Sequence, residues 1–223
     1  MPSIFQNMFT QEWIYQLIVS FLIFSISLTV HEYAHAYVAD KLGDPTARYM
    51  GRLTFNPFAH LDILGTIAIL IIGVGWAKPV PVNSRNLKNP KRDMILISIA
   101  GPLANVLLSL VVMILYKLLT LVYNVTFAGF LVPVVWILVT LTSRNIMLAI
   151  FNLLPIPPLD GSRLLTWILP SKAYYTLMKY EQVILIAVML LIFSGLLDWP
   201  LTYLTNTVFK LLNLLTFFIP TSL

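Results

Sequence analysis

The stretch Val30-His31-Glu32-Tyr33-Ala34-His35-Ala36 constrains this chain most, because it sets three ionisable groups at the end of an otherwise uncharged run from Trp13 to Val30. That run is long enough to cross a hydrocarbon core of about 30 Å as a helix. His31 and His35 lie four residues apart, about 40° around a helix, so both imidazoles can reach one ion from one face. The pattern H-E-x-x-H is that of a zinc site, in which the histidines bind the metal and the glutamate takes a proton from the attacking water. With three histidines in the whole chain, two of them are committed to this one face.

Soluble domains carry about 25% charged residues. This chain has 10% charged and 59% hydrophobic residues, which excludes an ordinary soluble globule. Uncharged runs continue over Met94 to Tyr116, Leu118 to Ser143 and Val183 to Leu197. The expected fold is an all-α polytopic membrane protein, a bundle of about four to six transmembrane helices with a small membrane-associated β-hairpin or re-entrant region. The 223 residues suit one integral-membrane domain. Cysteine is absent, which excludes disulfides and thiolate ligands. No Lys or Arg precedes Trp13, so the first helix reads as retained rather than as a cleaved signal. The net charge of +5 reads as juxtamembrane basic residues at a lipid bilayer, not as a nucleic-acid surface.

In chain order, the first helix is expected from about Glu12 to Leu42, with Gly43-Asp44-Pro45 as its stop. Ala47 to Phe55 has no helical stripe and reads as short strands interrupted by Gly51. Leu61 to Trp76 holds only about 13 uncharged residues after Asp62, a length that is often re-entrant. Gly75 to Asn83 reads as extended, since Pro79 and Pro81 bar a regular helix. A helix from about Asp93 to Lys117 carries Ala100-Gly101-Pro102-Leu103-Ala104-Asn105, small residues that suit close packing. The Asn105 amide needs a partner there and is expected to face a polar cavity. A further helix runs from about Leu131 to Leu154. Its Arg144 calls for an acidic partner such as Asp62 or Asp198, unless it lies near the outer surface. Phe151 to Gly161 holds three prolines in four residues, a broken backbone tolerated at membrane depth only against protein or a water-filled cavity. Gln182 to Leu197 crosses once more.

Charge asymmetry tests this layout. If Leu61 to Trp76 dips in and returns, Lys41, Arg48, Arg52, Lys78, Arg85, Lys88, Lys91, Arg92, Arg163, Lys172 and Lys179 share one side. Lys117, Arg144 and Lys210 are the remaining basic residues, so the first side is cytoplasmic. A single crossing would move the basic residues from Lys78 to Arg92 outside and nearly abolish the bias, so the hairpin is favoured. A catalytic zinc keeps a fourth position for water and needs a third protein ligand. Asp160 is favoured by position, where the broken helix returns to the cytoplasmic half and Gly161 leaves room for a close approach. His60 competes, but reads as a surface histidine or one that holds another group in place. Asp62 either orients an imidazole or caps a helix.

His31-Glu32-Tyr33-Ala34-His35, Gly101-Pro102-Leu103-Ala104-Asn105 and Asn152-Leu153-Leu154-Pro155-Ile156-Pro157-Pro158-Leu159-Asp160-Gly161 resemble the three signature segments of the site-2 protease family of intramembrane zinc metalloproteases. The resemblance implies that His31, His35 and Asp160 bind one Zn2+ per chain and that Glu32 is the catalytic base. It implies that Asn152 faces substrate, where it could bond the substrate backbone or the developing oxyanion. It places the family's membrane-associated β-hairpin between Ala47 and Val82. It further implies a short, core-only member without PDZ or CBS domain, with a catalytic core over about 12–165 and accessory helices over 166–223. The expected activity is hydrolysis of peptide bonds in or near transmembrane segments of membrane-protein substrates, in the cell membrane, with the active site in the cytoplasmic half. Two rival functions are a zinc-binding membrane chaperone or regulatory subunit, and a metal transporter. The intact Glu32 argues against the first, and the scarcity of polar residues in the outer half argues against the second.

Overall fold

The computed structural model describes residues 11–72 and 75–219. The stretch before Gln11, on which the retained-helix expectation partly rests, lies outside them. Helix α1 (Gln11–Lys41) follows the first apolar run and stops where expected: Gly43 takes φ +107°, and the Asp44 amide closes back on Ala39 O at 2.9 Å. Helix α2 (Thr46–Tyr49) is a single turn, followed by bends through Phe55. The strands expected over Ala47 to Phe55 do not form. Arg52 N–H turns back to Ala47 O at 2.8 Å, so the local backbone bonds within the turn, leaving none for a ladder.

Helix α3 (Ile63–Ile72) has ten residues and spans about 15 Å, half of a hydrocarbon core. Its flanks meet in an antiparallel bridge between Leu61 and Ala77, and Lys78 N–H donates to His60 O at 2.9 Å. The two flanks of α3 therefore lie side by side, an arrangement compatible with the hairpin reading; residues 73–74 lie outside the described part. This one bridge is the whole of the β pairing among the described residues, so the expected β-hairpin does not form and a short helix with paired flanks stands in its place.

Helix α4 (Pro90–Thr126) extends past both expected ends and is the central element. Pro90 sits in its first turn, where a missing N–H costs nothing, and Asp93 accepts from Asn89 N–H at 2.9 Å. Helix α5 (Leu131–Leu153) returns antiparallel to α4, and α1 packs on α4's other flank. Val19, Ile23, Val112 and Leu141 join α1, α4 and α5 in one buried cluster. The short α6 (Leu165–Ile168) and α7 (Ser171–Lys179) lead into α8 (Glu181–Phe193), bent 64° from α7. Helix α9 (Asp198–Leu215) docks on the bundle through Leu212, which packs with Met113, Tyr116 and Ile146. Buried Lys117 of α4 donates to Thr216 O at 3.2 Å, satisfying a carbonyl at the end of α9. Among the described residues three helices, α1, α4 and α5, are long and apolar enough to cross a membrane, and four if α7 with α8 make one bent span. That is at or below the low end of the four to six expected, because α8 and α9 are too short or too polar to qualify alone.

Candidate metal centre

Helix α1 delivers His31 and His35 one turn apart, and both rings are buried. The third group arrives from α5's far end. After Leu153 the proline-rich chain folds back into a 3-10 turn at Asp160–Leu164. Gly161 makes that return possible: a Cβ there would lie 2.2 Å from Leu153 O, so the turn packs directly on the last carbonyls of α5. The room predicted at Gly161 thus serves the broken helix end, and the effect is to aim Asp160 at the histidines. His31 Nε2 lies 3.0 Å from Asp160 Oδ2, His35 Nε2 lies 3.3 Å from the same oxygen, and the two Nε2 atoms are 3.0 Å apart.

These atoms suit zinc. Three ligands about 2.0–2.1 Å from a tetrahedral ion would be about 3.3 Å apart, close to the spacing found. One carboxylate and two imidazoles are a donor set zinc accepts, and their side chains leave one open flank. Asp160 is 23% exposed at its side chain against 5% and 10% for His31 and His35, so the cluster is open on the Asp160 side. Burial pushes the Asp160 carboxyl up, but hydrogen bonding and charge from His31 and His35 outweigh it and hold the group well below the usual carboxylate range.

Backbone from α4 closes the opposite flank. A Cβ on Gly101 would lie 2.4 Å from His35 Nε2 and 2.7 Å from His31 Cε1, so α4 touches both rings through a residue with no side chain. One turn earlier, Ile97 O accepts from His35 Nδ1 at 2.7 Å, which fixes the tautomer that leaves Nε2 free for a metal. From sequence, the small residues of 100–105 read as packing alone. Their order in the Gly-Pro-x-x-Asn segment was the available signal, and only the α1–α4 contact gives it meaning.

Glu32 is buried beside the histidines, and its Oε2 accepts from Val80 N–H at 3.1 Å. Val80 belongs to the extended strap read from Gly75 to Asn83. Four further contacts pin that strap: the Leu61–Ala77 bridge, Lys78 N–H to His60 O, Arg52 to Lys78 O, and Asn83 N–H to Asp44 Oδ2 at 2.6 Å. Sequence reasoning missed Arg52, which is 5% exposed. Burial lowers its pKa, and the nearby Glu32 charge opposes that shift. His60 is likewise fully buried rather than at the surface; its Nε2 donates to Thr54 O at 2.8 Å, and it takes no part in the metal cluster. Asp62 accepts from Gly65 N–H at 2.9 Å and caps α3. Arg144 is exposed and makes no ion pair with Asp62, Asp198 or any other acid among the described residues. Asn152, in the last turn of α5, donates from Nδ2 to Leu148 O at 3.0 Å and so bonds its own helix. An apolar cavity of about 370 Å³ opens beside α1, between Leu22 and Ile26 on one wall and Phe55, Phe58 and Leu61 on the other.

The model of Peptidase family M50 matches residues 19–131 and 123–196. YwhC of Bacillus subtilis, whose name marks it as a candidate zinc metalloprotease, is 45% identical over 150 residues, covering 65% of this chain and 66% of that protein. Zinc metalloprotease MJ0392 of Methanocaldococcus jannaschii is 29% identical over 157 residues, 70% of this chain and 36% of the relative. Rip2 of Mycobacterium tuberculosis, also named as a candidate zinc metalloprotease, is 29% identical over 143 residues, 61% of this chain and 51% of the relative. These matches span between about a third and two thirds of the relatives' lengths. No solved structure matches the chain.

Proposed function

The chain belongs to peptidase family M50, and on that premise we propose that it is a site-2 protease-type zinc metalloprotease, cutting peptide bonds in or near transmembrane segments of membrane-protein substrates. The observation that carries the reading is the convergence of His31, His35 and Asp160, with their ligand atoms within 4.8 Å of one another, beside buried Glu32. His31, His35 and Asp160 are the proposed ligands of one Zn2+, which when bound polarises a carbonyl and makes water a stronger acid.

Glu32 then takes the proton of the attacking water and returns it to the leaving amine. The Val80 N–H holds one of its oxygens, leaving the other for that exchange. Asn152 gives up its bond to Leu148 and turns its amide to the developing oxyanion. A substrate helix hides its carbonyls in its own hydrogen bonds, so it must unwind before cleavage. The apolar cavity along α1 offers a place for its intact part, with Phe55 and Phe58 against lipid-like side chains. A catalytic core over about 12–165 with accessory helices over 166–223 forms one domain. The basic flank of the re-entrant loop orients the site to the cytoplasmic half of the cell membrane.

The test is Glu32→Gln in the purified protein, assayed on a panel of single-pass substrates with and without a chelator. Cleavage is expected to vanish while zinc stays at one per chain. Wild-type turnover in that variant would remove Glu32 from the reaction, and absence of bound zinc in the parent protein would remove the metal.

A further inference from the structure

The two histidines differ in one respect. The Nδ1 proton of His35 is taken by Ile97 O, whereas buried His31 Nδ1 has no partner among the described residues. If Nε2 of His31 is given to a metal, Nδ1 must carry the proton and needs an acceptor. A buried donor left unpaired costs about 1–3 kcal/mol.

The neighbouring layer holds unused acceptors. Asn105 is fully buried, and both its amide oxygen and its amide nitrogen lack partners. It follows Gly101 by four residues, so it lies on the same face of α4, about 6 Å further along, and Gly101 is the residue pressed against the His31 ring. From the α5 side, Asn145 donates to Ser27 Oγ at 2.9 Å, one turn before His31 on α1, and its own oxygen is unpartnered. One turn beyond Asn105, Ser109 Oγ donates to Thr142 O at 3.2 Å, one turn before Asn145. By helix register these contacts bring Asn105 and Asn145 to the level of Ser27 and His31, between α1, α4 and α5. Native interiors keep few unpaired polar atoms, and several together mark a shared hydrogen-bonding task.

We propose that Asn105 is the positioning residue of His31: its side-chain oxygen accepts the Nδ1 proton, by a rotation of the amide or through one bridging water, and so fixes the imidazole with Nε2 toward the metal. This rests on the zinc reading given above. The freed Asn105 N–H faces Asn145 Oδ1, which completes the layer. Asn105 touches no substrate; it acts through His31.

The test compares Asn105→Ala and Asn105→Asp with the parent chain. Zinc affinity is read by competition with a chromophoric chelator, the ligand field by the visible spectrum of the Co2+-loaded protein, and the His31 Nδ1 proton by 1H–15N imidazole NMR of the zinc-loaded protein. The Ala variant should bind zinc about 10- to 100-fold more weakly, with an altered cobalt spectrum. The Asp variant should restore the affinity, since a carboxylate is the stronger acceptor. In the zinc-loaded parent the His31 Nδ1 proton should be shifted downfield and slow to exchange, as a hydrogen-bonded N–H is. An Ala variant with parental zinc affinity and cobalt spectrum overturns the inference. So does a zinc-loaded parent whose His31 Nδ1 proton exchanges as a free N–H, a result that needs no variant to fold. A parent chain that binds neither zinc nor cobalt overturns the zinc reading and this inference together, whereas the first two results leave the zinc reading standing.

Discussion

Replacing Gly101 with alanine tests whether α4 forms one wall of the site. The added methyl would meet His35 Nε2 at 2.4 Å, His35 Cε1 at 2.6 Å and His31 Cε1 at 2.7 Å. Ordinary carbon contacts begin at about 3.5 Å, so the rings or the helix must retreat by roughly 1 Å. Two energies compete in the folded protein. Alanine in a helix interior gains about 0.5–1 kcal/mol over glycine, while overpacking a tight core costs about 1–3 kcal/mol. Net destabilisation is therefore modest, about 1–2 kcal/mol, and the protein should fold. Function should suffer more, since a displacement of about 1 Å in a catalytic constellation can cost about 100-fold. Gly129 is the control: a Cβ there meets nothing within 4 Å, and its φ is not in the left-handed region. Gly101→Ala and Gly129→Ala should be purified in the same detergent and compared for thermal unfolding, zinc affinity and cleavage of one transmembrane substrate. The expected result is a loss of about 100-fold in turnover with weakened zinc binding for the first, and parental behaviour for the second. If Gly101→Ala binds zinc and cleaves as the parent does, α4 does not close on the histidines and the site geometry described here is wrong.

Metal removal should abolish cleavage and leave most of the helical signal, because α1, α4 and α5 pack through apolar clusters independent of Asp160; loss of the far-ultraviolet helical spectrum on chelation would contradict this. Asp44→Ala should destabilise the protein by about 3 kcal/mol, because the fully buried carboxylate accepts from Asn83 N–H, Asn86 Nδ2 and Thr46, and these donors would be stranded. Burial pushes the Asp44 carboxyl up, but those hydrogen bonds hold it below its usual value. Its contribution is therefore fully present above about pH 4, the unfolded carboxylate value, and fades as pH falls through the lower folded value; the Ala variant should lack that acid-side loss, measured as unfolding midpoint against pH. Arg144→Leu should leave cleavage unchanged and raise membrane stability, since the exposed guanidinium has no acidic partner among the described residues. A fall in stability would reveal a partner outside the described residues.

How much could be read in advance follows from the distance over which each decision is made. The pairing of His31 with His35 depends only on helical periodicity within α1, and the choice of Asp160 followed from a proline-broken helix returning to the depth it left. That the chain turns back between Leu61 and Ala77 was legible because about 13 uncharged residues are few for a helical crossing and because the basic residues needed one side. Ala47 to Phe55 was misread as strand: its β-like composition carried no sign that Arg52 would be buried and would turn the backbone into the loop to hold Lys78 O. His60 was misplaced at the surface for the same reason, since its burial comes from the re-entrant loop folding over it. The role of Gly101 was out of reach too, because a missing side chain matters only once another helix arrives at contact distance.

Local periodicity and the cost of an unpaired backbone in lipid are properties of the chain itself. They were enough to specify membrane helices, the histidine pair on α1 and the broken segment that carries Asp160. Which wall closes on the imidazoles, which amide holds Glu32 and which arginine lies near it depend on contacts between residues tens of positions apart. Those contacts exist only when α1, α4 and the strap are packed together, because hydrogen bonds and steric limits act over a few ångströms in space, whatever the separation in sequence.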